Sequence, residues 1–225
     1  LTNWRKSDFI IPWVRERANM NLKNANNPKQ RHPYDPAYNF EAAVKHFTKF
    51  PIKGVLWYQG ESNAHNVELY EQLLPTMLES WRKAWNTNFP FYYVQLSSLD
   101  RPTWPAFRDA QNRLQKIIPN SGMAVSMDYG DSTDVHPIRK KEVADRLALL
   151  ALKNSYGKGV AANGPLALKA IKNKQQIIIS FASSKKLATA DKKELIGFEL
   201  VTDKGKHIKT VATAKNNQVI INIPK

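Results

Sequence analysis

No cysteine occurs among the 225 residues, which excludes disulfide bridges, thiolate metal centres and a cysteine nucleophile, and leaves the compartment open. No apolar run approaches the roughly 18 residues that a membrane-spanning helix requires, and no leader pattern of basic start, apolar core and small-residue cleavage site opens at Leu1. N-x-[ST] sequons are absent too, so glycosylation gives no sign of secretion. Acidic residues are scarce: 19 Asp and Glu stand against 34 Lys and Arg, a net charge of +15. That surplus invites a nucleic-acid reading, yet there is no arginine-rich arm, zinc-ligand spacing or basic-aromatic RNA motif. Residues 158–225 hold thirteen lysines, no arginine and four acids. Solvated lysines on strand faces account for this, and the resulting field favours an anionic substrate or glycan. Neither a nucleic-acid nor a membrane partner is expected.

A hydrophobic share of 42% suits a folded chain with one large domain, or a medium domain and a small appendage. Between about residues 50 and 155 two periods alternate. "KGVLWYQ", "FYYVQL" and "GMAVSM" read as short buried strands, each followed by a helix-length segment. Val67, Tyr70, Leu73, Leu74, Met77, Leu78, Trp81 and Trp85 recur at three or four residues, so one helix face is apolar, with a kink or a new turn expected at Pro75. A second helix is predicted from Trp104 and Pro105 through Ile117, and a third from Pro137 to about Ala151. Strands alternating with helices predict an α/β fold: a parallel sheet with helices on both faces. Residues 1–36 read as a long surface loop with a short helix near 8–22. After Gly159 the helical period disappears, and "QQIIISF", "LIGFELV", "HIKTVAT" and "QVIINI" predict a small antiparallel β region. The expected division is an α/β domain over 1–157 and a β-rich domain over 158–225.

The most informative stretch is "GVLWYQGESNAHN" at 54–66, where an apolar run breaks into an amide, a glycine, a carboxylate, a serine and an asparagine. Parallel sheets hold ligands beyond the carboxyl ends of their strands. The polar cluster after Trp57 lies at such an end and marks the start of a site.

Together with "FPFYYVQL", "FRDAQ" and "DVHPIRKKEVADRLALLAL", in that order and at suitable spacing, this stretch resembles the sialate O-acetylesterases of the SGNH hydrolase superfamily. "RHPYDP" upstream fits the bacterial branch. The likeness runs from about residue 4 and weakens after 160. It implies a three-layer α/β/α fold, here partial with its first strand missing, and a serine esterase that needs no cofactor. Its substrate would be an acetylated sugar, above all an O-acetylated sialic acid, met in the periplasm or outside the cell. The family nucleophile follows the first strand in a Gly/Ser stretch with no counterpart here, so that serine is expected in a segment preceding Leu1.

Two serines imitate it. Ser132 stands in a literal "GDS", but on a loop after a late strand. Ser62 stands in "GESNA", which lacks the second glycine of the nucleophile elbow, and is expected to cap the helix that starts near 63–66. The base expected from the resemblance is His136, in "DVHP", kept neutral by the helix beginning at Pro137. Asp134, two residues earlier and on the same side of an extended segment, is expected to orient the ring. The family's commoner spacing is three, and Thr stands at 133; Asp131 is the reserve, and a Ser–His dyad held by a backbone carbonyl is the other option. Gln59 would donate to the oxyanion, Gly60 would allow close backbone approach, and Glu61 would hold the loop or orient donors. Arg31 is a candidate partner for a substrate carboxylate. The five histidines show no paired metal-ligand spacing. Two other readings stay open: an acetylesterase acting on xylan-type polysaccharides, and a non-catalytic glycan-binding protein.

Overall fold

The computed structural model describes residues 37–182, 186–189 and 193–224. The chain divides into two compact units between Val160 and Ala161.

In the first unit three parallel strands, β1 (Val55–Trp57), β2 (Phe91–Val94) and β3 (Ser121–Ala124), lie side by side with β2 in the centre. All four residues of β2 are buried, as a central parallel strand covered on both faces requires. Three long helices follow the strands: α1 (Val67–Trp85), α2 (Trp104–Ile117) and α3 (Lys140–Asn154). Phe91 and Tyr93 join the cluster built by Tyr70, Leu74 and Leu78 of α1 and Trp104, Phe107 and Leu114 of α2. The opposite face belongs to α3. Tyr92 bonds Ser155 just past its end at 2.8 Å, and a side chain added at Gly122 would stand 3.3 Å from Leu150. The result is the expected α/β/α layering.

Local chemistry sets the helix ends. Asn66 caps α1, its side chain accepting the Leu69 N–H at 3.0 Å, and Asn86 closes the helix in the left-handed conformation that asparagine tolerates well. The cap expected of Ser62 is therefore supplied by Asn66, because residues 61–63 form a separate single turn before the helix begins. Pro75 lies inside a continuous helix instead of starting a new one; Leu74 and Leu78, buried on either side of it, hold the segment on the sheet. The third helix begins at Lys140, three residues later than expected. Pro137 is buried in the loop ahead of it. A short helical segment over Phe40–Val44 and Lys45–Phe47 precedes β1.

The second unit is an antiparallel sheet of five strands: β4 (Ala167–Asn173), β5 (Gln176–Phe181), β6 (Leu195–Val201), β7 (His207–Lys215) and β8 (Gln218–Asn222), in the order β4-β5-β8-β7-β6. Ala212, Val219 and Ile221 are buried, with Ile177, Ile179, Phe181, Phe198 and Leu200 packed around them. Four of the strands follow the alternation in the sequence. The fifth, β4, is exposed throughout and carries no alternating signal; its pairing to β5 from Ala167 to Asn173 defines it.

The predicted helix near 8–22 and the loop over 1–36 lie outside the described residues.

Candidate active site

Three loops leave the carboxyl ends of β1, β2 and β3, and all three line one cavity of about 640 Å³. That volume falls within the range of small-ligand sites. The first loop supplies Glu61, Ser62, Ala64 and His65, the second Arg101, Thr103 and Trp104, and the third Val135 and His136.

Gly60 lets the first loop lie where it does. Its φ of 147° is closed to side chains in practice. A Cβ there would stand 2.9 Å from the ring of Phe107, itself fully buried in α2. The glycine thus lets the backbone turn directly on the α2 core. Gln59 faces its own loop, donating from Nε2 to Asn63 Oδ1 at 2.5 Å, and its carbonyl receives the Tyr70 hydroxyl at 3.5 Å. It is not among the residues lining the cavity.

A buried glutamine fixes the second loop. Gln111 of α2, in the "FRDAQ" stretch, is fully enclosed; its Oε1 accepts the Leu96 N–H at 2.8 Å and its Nε2 donates to the Val94 carbonyl at 3.1 Å. It continues the hydrogen bonding of β2 beyond the sheet. The Ser97 carbonyl next in line accepts the Trp104 indole N–H at 2.9 Å and Arg108 at 3.0 Å.

The third loop is strapped to the second. The Asp100 N–H donates to the Ser132 carbonyl at 2.9 Å, and Gly130 lies so close that a Cβ would come within 2.5 Å of Ser98 N. Ser132 is exposed and its carbonyl takes part in this strap. Asp131 Oδ1 accepts from Thr133 N and Oγ1, both at 2.7 Å, and from Asp134 N at 3.2 Å. Those bonds hold its carboxyl below the usual range and make it the organiser of the turn.

Asp134 Oδ1 accepts the His136 backbone N–H at 2.8 Å and stands 3.4 Å from His136 Nδ1. The carboxylate reaches the ring through this tight turn, and the extended alternation expected from the sequence is not used. The His136 side chain is 85% exposed. The third helix starts at Lys140, so His136 does not directly precede its first residue, as the helix start expected at Pro137 would have had it. Behind the site, burial pushes the Tyr70 phenol up to about 12.

Glu61, Ser62 and His136 are thus brought to one cavity, with Asp134 behind the imidazole. Arg31 lies outside the described residues. Sequence reasoning missed His65, Arg101 and Thr103 as lining residues; the available signal was their position after β1 and β2, where a parallel sheet builds its sites. Among the described residues no group of three or more His, Asp or Glu is placed to hold a metal ion.

Residues 22–153 match the model of the carbohydrate esterase family described as sialic acid-specific acetylesterase. The chain belongs to this family. The mouse sialate O-acetylesterase is 34% identical over 154 residues, covering 58% of this chain and 28% of the relative. The human sialate O-acetylesterase is 33% identical over 180 residues, covering 66% and 34%. The chain therefore spans about a third or less of these curated relatives. The crystal structure of a carbohydrate acetylesterase from Xanthomonas citri superimposes with a TM-score of 0.72 at 28% identity, covering 78% of this chain and 43% of that one. The cavity lies beyond the carboxyl ends of the parallel strands, where open α/β sheets hold their ligands.

Proposed function

We propose that this chain contributes the base side of an acetylesterase that removes O-acetyl groups from sugars, with O-acetylated sialic acid as its substrate. The convergence of the three strand-end loops on one cavity carrying His136, backed by Asp134, supports this reading best. In it, His136 Nε2 takes the proton of an attacking serine hydroxyl and returns it to the departing sugar oxygen. Asp134 orients the ring from Nδ1. The serine comes from outside the described residues, as the family resemblance implies. Gln59 is the donor the family resemblance implies for the developing oxyanion: an amide offers two N–H hydrogens, Asn63 takes one, and to give the other the side chain must turn from its place outside the cavity lining. Gly60 keeps this loop against α2, and Glu61 shapes the β1 side of the cavity. The periplasm or the cell exterior, where acetylated glycans are met, is its proposed place of action.

The experiment is acetate release by the gene product containing these residues, from O-acetylated sialic acid and from acetylated xylan, with fluorophosphonate labelling alongside. Release from the sialic acid substrate, with the label on a serine other than Ser62 or Ser132, is expected. Preference for xylan would move the assignment to polysaccharide deacetylation. Binding of sugar without release or labelling would leave a glycan-binding protein.

A further inference from the structure

Six arginines lie among the described residues, and five have their guanidinium groups engaged. Arg82 bonds the carbonyls of Phe89, Pro119 and Asn120, and Arg108 that of Ser97. Arg113 pairs with Glu71, Arg139 with Glu142 and Arg146 with Asp128. Arg101 is the exception. Among the described residues it has no ion pair and no side-chain hydrogen bond, and it lines the cavity that holds His136. Its guanidinium carbon stands 5.8 Å from the centroid of the Trp104 ring. That ring is buried, with its indole N–H fixed on Ser97, so the charge has a firm apolar and π surface to rest against.

An open guanidinium in a ligand-sized cavity has five donors in a planar fork that matches a carboxylate. The β1 loop places Glu61 in the same cavity, and Glu61 and Arg101 are not paired with one another, so the guanidinium is left open to a ligand's acid group. We propose that Arg101 reads the carboxylate of an acidic sugar and makes this a site for O-acetylated sugar acids over neutral acetylated sugars. The inference rests on the esterase reading for the identity of the reaction, but its own content is a binding preference. Arg101 is a specificity residue that touches the substrate's acid group and takes no part in proton transfer.

The test is titration of the protein with sialic acid and with its methyl ester, followed by calorimetry at low ionic strength, for the wild type, Arg101→Gln, Arg101→Lys and Arg113→Gln. Charge-assisted hydrogen bonds of this kind correspond to about a tenfold to hundredfold difference in affinity. Wild type is expected to prefer the acid by that factor. Arg101→Gln abolishes the preference, Arg101→Lys retains part of it, and Arg113→Gln, altered in a pair remote in sequence from the cavity loops, retains all of it. Equal affinity for acid and ester in the wild type, an unchanged preference in Arg101→Gln, or binding of neither ligand overturns the proposal. Because the readout is binding, a protein that releases no acetate yet shows the Arg101-dependent preference loses the esterase reading and keeps this one. One that releases acetate without the preference does the reverse.

Discussion

Replacing Gln111 isolates the contribution of one buried amide to the site's framework. It is fully enclosed and bonds two main-chain groups at the end of β2, the Leu96 N–H and the Val94 carbonyl. Gln111→Met keeps the volume and removes both partners. Each abandoned group costs about 1–3 kcal/mol, so for the two groups a loss of about 2–6 kcal/mol is expected, with the larger part avoided only if water enters. Gln111→Glu separates the two bonds. Its carboxyl still accepts from Leu96, but it faces the Val94 carbonyl with oxygen and must stay protonated to donate there. Burial without a cation raises its folded pKa above the unfolded value of about 4.3. The protonated form is then tolerated below about pH 4, and destabilisation grows as pH rises toward the folded pKa, by about 1.4 kcal/mol per unit. Urea unfolding of wild type, Gln111→Met and Gln111→Glu between pH 4 and 8 reads this directly. A Gln111→Met midpoint equal to wild type, or a Gln111→Glu deficit that does not change with pH, would refute the reasoning.

Other outcomes follow from the same framework. Gly60→Ala forces a side chain into a positive φ and against Phe107, so it is expected to lose about 2–5 kcal/mol in urea unfolding and to reduce acetate release as the loop lifts. Burial holds the Tyr70 phenol near 12 and pushes Tyr93 up as well. Both folded pKa values lie above the unfolded value near 10, so the stabilisation is complete below pH 10 and is lost as pH rises. For Tyr70 the loss is about 2 kcal/mol by pH 12. Phenolate absorbance should therefore arrive in two stages, the second coinciding with loss of circular dichroism; a single stage at the ordinary tyrosine pKa would contradict the burial.

The sheet and its helices were legible because their periods differ: four consecutive buried residues in β2 and a three-to-four spacing in α1 leave little ambiguity. What escaped was governed by backbone contacts. Strand β4 is exposed along its whole length and owes its existence to pairing with β5. The start of α3 moved past Pro137, whose tolerance at a first helical position gives no requirement to be there. The carboxylate of Asp134 meets His136 through a turn organised by Asp131 and Thr133, which alternation along a strand does not describe. Gln59 was readable as a polar residue at a strand end, but its bond to Asn63 depends on the turn that Gly60 permits. Arg101 carried no local pattern at all, and only the account of where every other described guanidinium goes distinguishes it.

The central claim is that His136 is the base of an acetyl-transfer site at the ends of these strands. Its most direct test is acetate release from O-acetylated sialic acid by the His136→Ala gene product, measured beside its urea midpoint. The side chain is 85% exposed, so the midpoint should match wild type while turnover falls by about 10²–10⁴. Turnover that stays at the wild-type level in a stably folded His136→Ala protein would contradict the account.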